Sequence, residues 1–318
     1  MIPPSGNAKH SLPDSYAFVP AVALKTTAVA VPECSVSEVT SCLDEAITQE
    51  RRWIEDALPH LETKLTCGDA IAWAAYHASI QPPVEDPPAL HALLPLFYEK
   101  SATPAMIKHG MDVLRRAVEF LNPGQIPVTT FDQPRLALAK CIHWKWPDTH
   151  DEKVHVVMLG GLQTEMALWN TLGDVSDGSG WTTALTEAGV ASPNSYLKAA
   201  HLTRTRHAHQ TTLLTLHNLQ KEVFLLSEGS KDFVCFNAWK NDMQKKSPTF
   251  MYWDLVMKYE TLILIFIRTH REKKFPLYVQ VLEELVPLFF ALDHQNNARW
   301  MPVHIRDMKS LPVSMLVS

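Results

Sequence analysis

Two short β-branched runs interrupt a chain whose pattern is otherwise helical, and they constrain the fold more than any other feature. The first run is Ile126–Phe131 (I-P-V-T-T-F), and the second, Val154–Leu159, ends in Gly160–Gly161. Short runs rich in β-branched and aromatic residues, bounded by turn residues, are typical of strands. Helical patterns follow each run, over Arg135–Trp144 and Gln163–Leu172. This strand–helix–strand–helix order predicts a small mixed or parallel sheet.

Helical periodicity dominates the rest of the chain. Over Ser37–Leu58 apolar residues recur at helical spacing, which predicts an amphipathic helix. Ser247 as a cap and Pro248 in the first turn predict a helix over Pro248–Lys273. The stretch Gly173–Gly180 (G-D-V-S-D-G-S-G) is predicted to be a loop. The other predicted helices are Ala70–Ser79, Ala89–Lys100, Pro104–Leu121, Ser195–Leu226, Pro276–Leu292 and Asn297–Met308.

These patterns predict an α-rich α/β protein, mostly helical with a small central sheet. A degenerate RNase H-like core is one fold that fits this order of elements. We expect an extended arm over residues 1–34, a helical N-terminal region over 35–124 and a strand–helix–strand–helix core over 125–194. A helical C-terminal region over 195–318 is expected to pack with the core as one body.

Charge, cysteine spacing and hydropathy exclude several classes of protein. A net charge of −5 argues against a general basic nucleic-acid coat but allows a local basic groove. The five cysteines form no C-x-x-C pair, which argues against a disulfide framework or a Cys-rich zinc site. Reduced thiols fit an intracellular protein, nuclear or cytoplasmic. The longest apolar runs, Thr261–Ile267 and Leu285–Leu292, are far shorter than the roughly 20 residues of a membrane helix, so no membrane partner is expected.

A carboxylate stands directly after the first predicted strand. Asp132 follows Ile126–Phe131, Glu165 lies on the helix after the second strand, and Asp174 and Asp177 lie in the next loop. RNase H-like nucleases hold two Mg²⁺ ions about 4 Å apart with converging carboxylates, which stabilise the attacking and leaving oxygens of a phosphodiester. Asp132, as a metal ligand, and Glu165 are therefore candidate catalytic residues, with Mg²⁺ as the cofactor if such a site is intact.

A structural interpretation of Asp132 competes with the catalytic one. In D-Q-P a capping side chain precedes a first-turn proline, which is a common helix start. We favour the cap, because the second predicted strand ends in Gly160–Gly161 rather than in an acid.

A second group of side chains, on the predicted helix Ser195–Leu226, could contact nucleic acid. Lys198, Arg204, Arg206 and His209 are the candidate phosphate contacts. His207 and His209 are two residues apart, so they diverge on a helix and make a poor zinc pair. The alternative is a solvated face, or arginines paired with carboxylates of neighbouring helices, and the net negative charge favours it.

A third group, near the C-terminus, is predicted to be structural. It consists of Arg299, Trp300, His304, Arg306 and Asp307. On a helix Trp300 and His304 are one turn apart. We expect buried Arg–Asp pairing that fixes the register of this helix. No nucleophile signature accompanies His304, so catalysis is not expected there.

Seven stretches between residues 72 and 308 carry a family resemblance. They are A-W-A-A-Y-H-A-S (72–79), L-L-P-L-F (93–97), L-N-P-G-Q-I-P-V-T-T-F-D-Q-P (121–134), V-V-M-L-G-G-L-Q-T-E-M (156–166), D-G-S-G-W (177–181), H-L-T-R-T-R-H-A-H-Q (201–210) and L-D-H-Q-N-N-A-R-W-M-P-V-H-I-R-D-M (292–308). Together they resemble an uncharacterised, lineage-expanded family of animal proteins whose scattered, multicopy distribution is similar to that of mobile-element genes. The resemblance covers most of the chain, and it brings no activity with it.

Two departures from that family bear on function. The family has a histidine at the position of Gln163, and its members continue past the C-terminal R-D-M segment into an acidic, His-containing region. We therefore expect this chain to be truncated. The resemblance implies a mobile-element-derived protein, transposase-like or accessory, without catalysis in this chain and with DNA or RNA as a partner. The alternative is a non-enzymatic helical scaffold that binds another protein.

Overall fold

The structure, a computed structural model, describes residues 36–62, 72–82, 94, 99–100, 102–228 and 233–311. The chain divides into two compact units, Met1–Glu38 and Val39–Ser318, and every side-chain contact given below lies within the second. The arm predicted over residues 1–34 and most of the predicted helix Ala89–Lys100 fall outside the described residues.

The described residues are mostly helical and contain one small sheet, as predicted. The N-terminal helices are α1 (Val36–Glu62), α2 (Trp73–Ser79) and α3 (Pro104–Leu121). The central elements are β1 (Val128–Phe131), α4 (Gln133–Lys145), α5 (Pro147–His150), β2 (Val156–Leu159), α6 (Gly161–Ser176), α7 (Trp181–Glu187) and α8 (Pro193–Leu197). The remaining helices are α9 (Leu202–Glu228), α10 (Phe233–Lys246), α11 (Pro248–Arg271), α12 (Phe275–Ala291) and α13 (Gln295–Lys309).

The two strands lie parallel, with α4 and α5 in the connection between them. Their register pairs Val128 with Val156 and Phe131 with Leu159. Three of the four β2 residues are buried, whereas β1 alternates between exposed and half-buried side chains. Within the described part of the chain the sheet has these two strands alone. The carboxyl ends of the two strands meet at one edge of the sheet, where α4 and α6 begin.

The core is centred on α11. Every residue from Leu262 to Thr269 is buried, so this part of the helix has no solvent face. Helix α11 packs against α6, α9, α10 and α12, and α13 packs on α12. Pro287 and Pro302 lie inside α12 and α13, and neither helix is divided there. None of the described helices is long and apolar enough to span a bilayer.

The predicted loop over Gly173–Gly180 is wrong in its first half, because α6 continues to Ser176. Gly173 does not end the helix; it lets the backbone of α8 come close. A Cβ added at Gly173 would lie 2.7 Å from Leu197 Cα and nearer still to the Leu197 carbonyl oxygen. The glycine therefore serves packing rather than chain reversal.

The predicted helix Ser195–Leu226 is two helices, α8 and α9. The first starts earlier, because the Ser192 side chain accepts a hydrogen bond from the Ser195 N–H and Pro193 occupies the first turn. Ala199 then adopts a left-handed backbone conformation with φ 47°, which ends the helical path before α9 begins at Leu202.

Candidate functional site

Asp132 caps α4 at the carboxyl end of β1. Its Oδ1 accepts a hydrogen bond from the Arg135 N–H at 3.1 Å, and its Oδ2 accepts from the Arg135 guanidinium. Pro134 sits in the first turn. Both carboxylate oxygens are therefore occupied by the first turn of the helix, as the capping interpretation predicts.

Glu165 lies in α6 and is 4% exposed. The Arg206 guanidinium donates to both of its carboxylate oxygens at 2.6 Å, and Trp169 Nε1 donates to Oε1 at 3.1 Å. A bidentate pair of this kind fixes α9 against α6. Among residues 36–62, 72–82 and the long described stretches that follow, no three His, Cys, Asp or Glu side chains are grouped to hold a metal ion. Asp132 and Glu165 thus do not form, with a third described carboxylate, the cluster that two-Mg²⁺ chemistry needs.

The predicted basic strip does not form one surface. Lys198 is exposed but pairs with Asp174 at 2.9 Å, and Arg206 is held by Glu165. Arg204 is exposed. His209 is fully buried, so its prediction as a phosphate contact is wrong; the face of α9 that carries it packs inward. For Arg206 the alternative interpretation, pairing with a carboxylate of a neighbouring helix, describes what is found.

The His209 ring lies between two aromatic rings. Trp169 stacks on one side with ring centroids 4.1 Å apart, and Tyr196 stacks on the other at 4.2 Å. His209 Nδ1 is 3.0 Å from Glu260 Oε1, and Nε2 is 3.3 Å from the Tyr196 carbonyl oxygen. Glu260 is 0% exposed and lies in α11. The pair therefore joins α9 to α11 with no access to solvent.

The protonation of this pair follows from its hydrogen bonds. A carbonyl oxygen only accepts, so His209 Nε2 carries the proton that it donates to Tyr196. In a neutral imidazole Nδ1 is then an acceptor, which requires a protonated Glu260 as the donor. Burial raises the pKa of Glu260 well above its ordinary value and lowers the pKa of His209 to about 3. At neutral pH both groups are uncharged, and their hydrogen bonds hold α8, α9 and α11 together.

A second buried network was missed by the sequence reasoning. Arg268 Nη1 donates to Glu50 Oε1 at 2.6 Å, and Arg268 Nη2 donates to Gln49 Oε1 at 2.7 Å. The other oxygen of Glu50 accepts from Trp73 Nε1 at 2.9 Å and lies 3.1 Å from His77 Nε2. The network ties α1 and α2 to α11. The one local signal was the one-turn spacing of Trp73 and His77, which gives no hint of their partner.

The C-terminal group makes contacts between helices. Buried Asp307 forms an ion pair with Lys140 of α4, and Arg306 Nε donates to the same carboxylate at 2.9 Å. His304 Nε2 is 2.6 Å from the Tyr278 hydroxyl oxygen. Trp300 stacks on Trp144 of α4, with a centroid separation of 6.2 Å, while Arg299 is exposed. The buried cation opposite Asp307 is therefore Lys140, whereas Arg306 is exposed and lies next to Asp307 on the same helix, so the predicted buried Arg–Asp pairing is wrong in its cation.

One surface of α9 is apolar and exposed. Leu219, Val223 and Leu226 are 47%, 49% and 88% exposed. Residues at these spacings lie on one face of a helix. We call this set the α9 stripe. Large apolar side chains exposed in a row are typical of surfaces that bind another molecule.

Comparison with known proteins identifies one similar family. Residues 229–317 match a domain of unknown function, DUF8702. The matching residues include α10 to α13, and therefore both Glu260 and Arg268. Comparisons with curated proteins and with solved structures found no match.

Proposed function

We propose that the protein is a non-enzymatic helical scaffold that binds an amphipathic helix of another protein. The observation that carries this proposal is the α9 stripe. Its three side chains lie at positions i, i+4 and i+7 and span about two helical turns, which is the spacing of apolar contacts between packed helices. The partner we expect presents apolar residues at matching helical intervals.

The energetics favour Leu226 as the anchor of this contact. Full burial of a leucine contributes about 1.5–3 kcal/mol. Leu226 is 88% exposed, so most of that free energy is available to a partner. Leu219 and Val223 are about half exposed, so each offers a smaller share.

Support for a non-enzymatic role comes from the ionisable side chains at the predicted catalytic and basic positions. The carboxylates of Asp132 and Glu165 accept hydrogen bonds from Arg135 and Arg206, which belong to the helices they stabilise. The Glu260 carboxyl is sealed in the core. Each of these groups has a structural partner within the fold.

The experiment is a selection of helical peptides on the purified wild-type protein. We expect enriched peptides to be amphipathic and to lose about tenfold or more in affinity for Leu226→Lys. Phe120→Lys is the matched control, since Phe120 is 86% exposed and lies on α3 rather than α9. The proposal fails if the selected peptides bind Leu226→Lys as tightly as the control.

A second candidate is a mobile-element-derived protein, transposase-like or accessory, that acts in the nucleus or cytoplasm on DNA or RNA. It is favoured by the parallel strand pair with Asp132 directly after β1, which is compatible with a degenerate RNase H-like core. Salt-sensitive nucleic-acid binding that weakens in Arg204→Ala would support it. A purified protein with neither such binding nor Mg²⁺-dependent cleavage eliminates it.

A further inference from the structure

A cavity of about 310 Å³ lies between α1, α9, α10, α11 and α12. This volume is at the lower end of the range for small-molecule pockets. Most of its wall is apolar. The apolar residues that line it include Leu43, Ile47, Ile54, Leu213, Phe236 and Met257.

The charged side chains that line this cavity balance one another. They are three basic and three acidic residues: Arg51, Lys240, Lys258, Glu50, Asp254 and Glu284. Lys240 pairs with Asp254 at 2.6 Å, and Lys258 pairs with Glu284 at 3.4 Å. Glu50 is bound by Arg268 at 2.6 Å. The charged side chains that could bind an ionic ligand are therefore already paired within the protein, whereas an uncharged ligand does not need such a pairing.

His217 supplies the polar feature that is not matched. It lies on α9, lines the cavity, and packs edge-on against Phe236 with ring centroids 6.1 Å apart. Its Nε2 atom is buried and has no hydrogen-bond partner among the described residues. Burial lowers the pKa of His217 to about 4, so the ring is neutral at physiological pH and one of its nitrogens accepts a hydrogen bond.

We propose that this cavity binds a small, uncharged, mainly apolar molecule that donates one hydrogen bond to His217. The apolar walls supply affinity by removing the ligand surface from water. The unpartnered nitrogen supplies selectivity. In the Nδ1–H tautomer of His217 Nε2 accepts a hydrogen bond from the ligand, and a buried acceptor left without a donor is costly. The cavity is separate from the α9 stripe, so a negative result for one proposal does not affect the other.

The test uses two bicyclic probes of similar shape, indole and benzothiophene, in which the N–H donor of the first is replaced by a sulfur atom that cannot donate a hydrogen bond. Titration calorimetry on the wild-type protein should give a Kd for indole of about 1 mM or tighter. Benzothiophene should bind about five- to tenfold more weakly, the ratio expected from one hydrogen bond. Methyl resonances of Leu213 and Ile47 should shift with either probe.

Variants at two histidines of α9 separate the hydrogen bond from general packing. In His217→Leu the two probes should bind equally, whereas His207→Leu, which alters an exposed histidine on the same helix, should preserve the preference for indole. The wild-type comparison decides the matter even if His217→Leu does not fold. Absence of saturable indole binding, equal affinity for both probes in the wild type, or shifts confined to methyl groups away from the cavity would overturn the proposal.

Discussion

Replacing Gly173 by alanine tests the close packing of α6 against α8 quantitatively. In a helix interior alanine is more favourable than glycine by about 0.8–1 kcal/mol. At Gly173 the added methyl group would meet the backbone of Leu197, with Cα at 2.7 Å and the carbonyl carbon at 2.8 Å. A backbone cannot rotate aside as a side chain does, so α8 must move. Overpacking of this kind costs about 1–3 kcal/mol, and occasionally more.

Gly110 is the matched control, since it lies inside α3 and an added Cβ would meet nothing within 4 Å. We expect Gly110→Ala to stabilise the protein by roughly 0.5–1 kcal/mol. Gly173→Ala should instead be destabilised, so that the two variants differ by about 1–3 kcal/mol in the free energy of unfolding. Urea denaturation measures this difference. If Gly173→Ala is as stable as Gly110→Ala, the approach of α8 is not what requires the glycine.

Two further substitutions test the buried and partly buried carboxylates. Glu260→Gln keeps a donor for His209 Nδ1 and should cost far less stability than Glu260→Ala, for which about 2–4 kcal/mol is expected from the cavity and the unpaired imidazole. Equal losses in urea denaturation would contradict the assignment of Glu260 as a hydrogen-bond donor. His143, whose Nδ1 lies 3.9 Å away, and Lys140, at 2.9 Å, lower the pKa of Glu152 to about 2 from an ordinary 4.5. A lowered carboxyl pKa stabilises the fold above pH 4.5, and this contribution is lost as pH falls towards 2, although solvent screening reduces it because Glu152 is 38% exposed. Glu152→Gln should therefore flatten the loss of unfolding free energy over that interval, and a pH profile parallel to that of the wild type would contradict the assignment.

Local patterns in the sequence predicted the elements whose ends are set by neighbouring residues. The helix Pro104–Leu121 was predicted to the residue, because Thr103 caps it, Pro104 occupies its first turn and Asn122 follows it. Two β-branched runs separated by a helical one predicted the two strands in a mixed or parallel sheet, and the pair is parallel. These signals depend on a few adjacent residues, so they are readable without the fold.

Long-range contacts were not predictable in the same way. Glycine is common in turns, so the sequence predicted a loop at Gly173, whereas the packing role of Gly173 depends on Leu197 of another helix. His209 stands in a basic-looking segment, yet which face of α9 turns inward is decided by Trp169 and Glu260. A one-dimensional pattern can give the period of a helix, but it cannot give the partner of each side chain.

The pairing of Glu50 with Arg268 has a consequence for how the chain is made. The two residues are 218 positions apart. A buried carboxylate without its cation is strongly unfavourable, so α1 cannot dock in its final place before Arg268 has left the ribosome. At roughly 5–20 residues per second, α1 waits about 10–40 s with its apolar face uncovered. The N-terminal helices, although made first, thus cannot complete this contact until synthesis has passed Arg268.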